Sequence, residues 1–170
     1  MYTIKTNLTN NATINGIEFA GYASVFNVID RHKDVIEKGA FIKTINNFGA
    51  RYTSLLFKHD ISQKVGIITM LCEDDHGLYL EGMIDISLPK SEELIRSIQN
   101  EAILHFSIGY YPKNIIKKGA INYINDLDLI EISFVESPAN NDAKILNVDG
   151  IYTDSKIANM LSCVPILSDN

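Results

Sequence analysis

The chain predicts a mainly β fold with flanking helices (α+β), in the form of a closed or nearly closed β-barrel with the helices packed outside it. Three observations carry that expectation. Short runs with period-two alternation recur along the chain, most clearly in 77–86, where Leu78, Leu80, Ile84 and Ile86 share one face and Tyr79, Glu81, Met83 and Asp85 the other. Only two or three stretches carry the three-and-four spacing of a helix. The 170 residues suffice for one core without disulfides or metals, so one domain is expected over 1–150, followed by a C-terminal helix or tail over 151–170.

In chain order, Tyr2 to Leu8 alternates loosely as an edge strand, and Thr9 to Thr13 is polar enough to turn. Gly16 to Phe26 reads as a strand whose small residues Ala20, Gly21, Ala23 and Ser24 permit close packing or a bend. Ile29 to Asp34 is a charged loop, and Glu37 to Phe41 leads into a short helix bearing Phe41, Ile42, Ile45 and Phe48. Tyr52 to His59 is a strand. Val65 to Leu71 and Gly77 to Ile86 form a hairpin across Glu73 to Gly77. Pro89 to Glu93 opens a helix reaching about Asn100, with Ser91 as its cap, Glu92 and Glu93 at its positive end, and Leu94, Ile95 and Ile98 inward. The chain returns to strand at Ile103. Lys113 to Asp126 is an exposed loop or hairpin with a short strand from Ala120 to Ile124, and Leu127 to Val135 is a strand stopped by Glu136 to Asn141. Beyond Lys144–Leu146 the pattern loosens, with a short helix expected over Thr153 to Cys163 and a loose tail after it.

Composition excludes several classes of function. The net charge of −6 and the pI near 5.1 do not supply the clustered Lys and Arg that nucleic-acid phosphates require. An acidic surface suits a basic or extended peptide partner instead. No apolar run is long enough to span a bilayer, and the N-terminal stretch lacks a secretory pattern, so a soluble intracellular protein is expected. Cys72 and Cys163 lie far apart and outside any C-x-x-C pair. His32, Asp34, His59, Asp60, Asp74 and His76 fall at no metal-binding spacing, so neither a metal nor a cofactor is expected.

The chemistry concentrates around Leu104 to Tyr110. As a strand this segment sends Leu104, Phe106, Ile108 and Tyr110 to one face and His105, Ser107 and Gly109 to the other. A serine opposite an apolar row, beside a glycine that lets another chain come close, fits an acyl-transfer nucleophile; it also fits a solvent-facing strand serine. Serine needs a base. His105 sits two positions away on the same face, its root roughly 7 Å from that of Ser107 and pointing alongside it, so it is a neighbour rather than a base. His32 and His76 sit in charged turns. His59 ends an apolar strand, shares a face with Leu55 and Phe57, and precedes Asp60, which makes it either a rim base or a structural histidine. Glu131 leaves the core on the side of Leu129 and Ser133, as an orienting carboxylate or a hydrated one. Oxyanion donors are sought near Gly109 or in Lys113 to Lys118.

At these residues the chain resembles the prohead (procapsid maturation) proteases of tailed bacteriophages, the HK97-like family. The matching text is 21–26 (GYASVF), 34–36 (DVI) with 39–41 (GAF), 59–60 (HD), 77–78 (GL), 107–110 (SIGY) and 131–140 (EISFVESPAN), in family order over roughly residues 16 to 146. The resemblance implies a serine endopeptidase of the herpesvirus-assemblin type, with His59 and Ser107 as the catalytic pair and Glu131 as third member. It implies residence in the host cytoplasm inside the procapsid, cleavage of the scaffolding region of the major capsid protein, self-cleavage with the 151–170 tail as the place to look, and often a homodimer. The alternative is a non-enzymatic β-barrel assembly or scaffold module of a phage particle. Asn141 stands where the family often has proline, and 113–126 matches nothing in the pattern.

Overall fold

The computed structural model describes residues 15–148 and 151–152. Along them run β1 (Gly16–Val25), β2 (Asp34–Ile36), α1 (Ile42–Asn47), a 3-10 turn (Ala50–Tyr52), β3 (Ser54–Phe57), β4 (Asp60–Glu73) and β5 (Gly77–Asp85). There follow α2 (Ser91–Gln99), β6 (His105–Lys118), β7 (Ile121–Val135), β8 (Ile145–Val148) and β9 (Ile151–Tyr152). The strand expected at Tyr2 to Leu8, its turn at Thr9 to Thr13, the helix over Thr153 to Cys163 and the tail lie outside the described residues.

All nine strands belong to one sheet ordered β2-β7-β3-β4-β5-β1-β8-β9, with β6 on the other edge of β7. β7 is the hub. Along one edge it pairs with β6 over almost its whole length, and along the other it takes β2 in parallel at 122–124 and β3 in parallel at 131–134. The mainly β character with two short helices stands, but the sheet is open and the expected closed barrel is not formed. β6 is committed to its hairpin with β7. It meets the β8 end only through an isolated bridge from His105 to Lys144, with the Ile145 N–H donating to the Leu104 carbonyl at 3.0 Å.

The core is apolar and aromatic. Phe19 of β1, Phe106 of β6 and Phe134 of β7 are fully buried, their ring centroids 4.9 to 5.7 Å apart in tilted and edge-on contacts. β1 comes this close because it carries Gly21: a Cβ there would stand 2.3 Å from the Lys144 carbonyl oxygen and 2.8 Å from the Phe106 ring. Small residues at 20–24 thus set the approach of β8, and two register shifts interrupt the pairing of β1 in this stretch.

Several elements differ from expectation for local reasons. Lys113 to Asp126, expected as an exposed loop or hairpin, is a hairpin whose strands run further than the short one at Ala120 to Ile124: it is the outer half of a long β6–β7 ribbon, turned at Gly119 with φ of 63°. β4 starts at Asp60 rather than Val65, its polar first residues being the solvent-exposed end of a long strand. Lys90, not Ser91, is the N-cap of α2. Ser91 is buried in the first turn and its hydroxyl donates to the Val65 carbonyl at 3.3 Å, so it ties the helix to β4. The charged loop expected over Ile29 to Asp34 ends one residue early, since Asp34–Ile36 is a strand whose backbone pairs with β7 almost ninety residues on.

Phe134 joins the aromatic cluster to the strand that carries the polar site described next. Phe134→Ala should cost about 3–5 kcal/mol of stability, seen as a lower urea midpoint at unchanged slope.

Candidate active site

The site is built where β7 has a strand on each side. Ser133 is paired with Leu56 of β3 across one edge and with Ser107 of β6 across the other, while Glu131 is paired with Ser54 and Gly109. Alternation along β7 does not run straight through this stretch. Leu127 and Leu129 are core residues, and so are Ile132 and Phe134. The change of parity falls at Ile130: Gly109 pairs with Glu131 but Tyr110 with Leu129, so Ile130 is the extra residue of a β-bulge and is exposed. Glu131 therefore does not share a face with Leu129, as strict alternation had implied. It lies with Ser133 on the face opposite Ile132 and Phe134.

His59 is not on a strand. β3 ends at Phe57, which pairs with Asp60, and the two residues between them, Lys58 and His59, have φ of 54° and 61°. Left-handed conformation at both central positions is that of a type I′ turn, whose twist suits a hairpin but which favours Asn and Gly. The turn brings His59 back across the sheet and away from the buried face of Leu55 and Phe57. Its backbone N–H donates to the Ser133 hydroxyl oxygen at 3.1 Å, and its Nδ1 lies 2.6 Å from Glu131 Oε1.

Glu131 is only 8 % exposed, and its carboxylate is held on both oxygens: His59 Nδ1 on Oε1 and the Ser133 hydroxyl, donating at 2.6 Å, on Oε2. A buried carboxylate without such partners would carry a heavy desolvation cost. Space for it comes from Gly109, where a Cβ would stand 2.5 Å from Oε1. The hydrogen bond that His59 donates to Glu131 raises the pKa of the imidazole above its ordinary value; partial burial opposes this and the carboxylate's charge adds to it. With Nδ1 engaged by the carboxylate, Nε2 is the nitrogen left to exchange a proton.

Ser107 and His59 line one cavity of about 160 Å³, together with Ala139 and Asn140 from the turn after β7. Ser107 is 6 % exposed. Asn140 fixes that turn by donating from Nδ2 to the Val25 carbonyl at 2.8 Å, and Asn141 accepts from the Arg31 guanidinium at 3.2 Å. The three expected site residues are thus brought together: serine and imidazole share a cavity, with the carboxylate behind the imidazole. Ser133 was visible in the sequence only as a residue on the side of Glu131. The two-residue spacing on one strand face was the signal that it would reach the carboxylate.

Other candidates fall away. Burial, and then the charges of Lys144 and Arg31, push the His105 pKa down, and this residue does not line the cavity. His76 packs edge-on against Tyr22, with ring centroids 4.5 Å apart. Lys113 to Lys118 runs in the outer β6–β7 ribbon, paired with 121–127, and lines no part of the cavity. Among the described residues, no three His, Cys, Asp or Glu side chains converge as metal ligands do.

This architecture is a viral protease fold. The structure is similar to that of KSHV protease solved with a hexapeptide phosphonate inhibitor (TM-score 0.53, 11% identity, 77% of this chain and 64% of that one). It is also similar to the bacteriophage T4 capsid assembly protease (TM-score 0.55, 15% identity, 77% of this chain and 88% of that one). Residues 3–161 match the family described as Caudovirus prohead serine protease, and the chain belongs to that family. Over 151 residues it is 34% identical to the prohead protease of Enterobacteria phage HK97, covering 84% of this chain and 66% of that protein's length.

Gly109→Ala should push the flexible end of Glu131 aside while leaving the strands paired. The imidazole of His59 should then titrate closer to its ordinary value of about 6.5, as followed by NMR of the histidine rings; an unmoved titration would mean that Glu131 is not what raises it.

Proposed function

We propose that this chain is a serine endopeptidase that cleaves the scaffolding region of the major capsid protein, and itself, inside the phage procapsid. The observation that carries the reading is the shared cavity of Ser107 and His59, with Glu131 hydrogen-bonded to the far side of the imidazole. Family membership and the HK97 relative supply the capsid context.

In the proposed mechanism Ser107 Oγ attacks the scissile carbonyl carbon as its proton passes to His59 Nε2. The resulting imidazolium hands that proton to the leaving amine, the C–N bond breaks, and an acyl ester remains on Ser107. Water then attacks the ester carbonyl, giving its proton to Nε2, and as the ester C–O bond breaks Nε2 returns that proton to Ser107 Oγ, freeing the product with its new carboxyl terminus. Glu131 keeps Nδ1 protonated and stabilises the imidazolium. Ser133 acts as a positioning residue: one hydroxyl holds the carboxylate and receives the His59 backbone N–H, so the imidazole and its partner are fixed to the same strand. The I′ turn keeps the ring near the nucleophile without a strand residue having to serve as base.

Mass spectrometry of the full chain expressed with a capsid precursor tests the reading. The wild type should give new chain ends and Ser107→Ala none, a loss on the order of 10⁶-fold. Identical products from both, together with no labelling of Ser107 by a fluorophosphonate, would favour a scaffold module instead.

The pH profile follows from the direction of the His59 shift. The base works neutral, so a raised pKa puts the acid limb of kcat/KM above about 6.5. Glu131→Gln removes the group that raises it. The acid limb should move to lower pH while the plateau drops by as much as about 10⁴-fold.

A further inference from the structure

The cavity of Ser107 and His59 has an acidic wall that the chemistry at the serine does not use. Asp30 and Asp34 both line it. Each is fixed by neutral donors. Asp34 Oδ2 accepts from the Tyr110 hydroxyl at 2.8 Å and its Oδ1 from Asn122 Nδ2 at 2.8 Å. Asp30 Oδ1 accepts the backbone N–H groups of His32 and Asp34, both at 2.8 Å. Among the described residues no lysine or arginine forms an ion pair with either carboxylate, although such pairs form elsewhere on the surface, as at Lys58–Glu136 and Lys113–Asp128. A carboxylate offers about four acceptor positions, so both retain capacity for a cation.

The rest of the lining is mixed, with His32 and His59 beside apolar residues. Ile36 and Ile108 give the cavity aliphatic walls. Ser107 is more than nine-tenths buried, lines the same space, and its hydroxyl has no side-chain hydrogen bond among the described residues. Aliphatic walls ending in two carboxylates match a long alkyl stem with a cationic head.

We propose that Asp30 and Asp34 form a subsite for a lysine or arginine side chain of the peptide substrate, at a residue beside the scissile bond. The inference rests on the protease reading and adds the chemical class of the substrate to it. Asp34 lies on β2, which is held parallel to β7 through the Asp34–Asn122 register, and Asp30 organises the loop that leads into β2. The subsite is thereby anchored to the same strand that carries Glu131 and Ser133. Its position relative to the nucleophile is set by sheet pairing, with Tyr110 of β6 linking the two. Burial, followed by the hydrogen bond to Asp34, raises the pKa of the Tyr110 phenol, which keeps it a donor to that carboxylate.

The test uses the full-length protein and a library of peptides made by digesting a bacterial proteome with a glutamate-specific protease. New ends created by the wild type, and absent with Ser107→Ala, are mapped by mass spectrometry. Lysine or arginine should be enriched about 10- to 100-fold at one position next to the cut, and the Asp30→Asn/Asp34→Asn double variant should lose that enrichment. If the double variant fails to fold, Asp30→Asn alone should reduce the enrichment. Cleavage that depends on Ser107 but shows no basic preference overturns the subsite and leaves the protease reading standing. So does a preference that survives in the variants. No Ser107-dependent cleavage of any peptide overturns both.

Discussion

A buried carboxylate is the constraint on which this molecule turns. Glu131 sits on a sheet whose other face is Ile132 and Phe134, almost without access to water, and it needs hydrogen-bond donors on both oxygens. The Ser133 hydroxyl and the His59 imidazole are those donors, and each has been drawn into place by it. Removing either donor leaves a charge in a poorly solvated position, so the triad-like arrangement is also a local condition of stability. Gly109 belongs to the same arrangement, since its missing side chain is the space into which the carboxylate folds.

Around that carboxylate two backbone irregularities and one parallel pairing act together. The bulge at Ile130 turns Glu131 away from the face used by Leu129. The left-handed pair Lys58 and His59 turns the imidazole back over the sheet. The β3–β7 pairing is parallel, with Leu56 level with Ser133 and Phe57 with Phe134, so the turn after β3 follows directly beyond the Glu131–Ser133 segment and its second residue folds back onto Ser133. An undistorted sheet would have put the carboxylate in the core and the imidazole beyond reach. The bulge and the turn give Glu131 and His59 directions that regular strands do not offer.

Much of this could be read from the sequence, and the parts that could not have identifiable causes. Period-two alternation located the strand of Ser107 and the apolar row opposite it, and the glycine two residues on was rightly taken as a sign of close approach. The residues of the site were legible through their neighbours: Ser107, His59 and Glu131 do converge. What failed was geometry that depends on long-range pairing or rare backbone. Lys-His carries none of the Asn-Gly signal of an I′ turn, so His59 read as a strand end. The bulge at Ile130 is invisible to a rule of alternation. β2 has three residues and exists only because of its partner in β7, and whether a sheet closes depends on pairings hundreds of ångströms of unfolded chain apart. The charged loop from Ile29 to Asp34 reads as surface, and Arg31, His32 and Lys33 are exposed there; that Asp30 and Asp34 line the cavity depends on the assembled sheet.

The hairpin at residues 58 and 59 sets backbone comfort against the placement of an imidazole beside Glu131. Neither lysine nor histidine is at ease with a positive φ, and a small or amide side chain at the second position would relieve the backbone at once. Drift toward the more comfortable turn is open to the chain at every generation, and at residue 59 it trades the imidazole, with its hydrogen bond to the Glu131 carboxylate, for a less strained backbone.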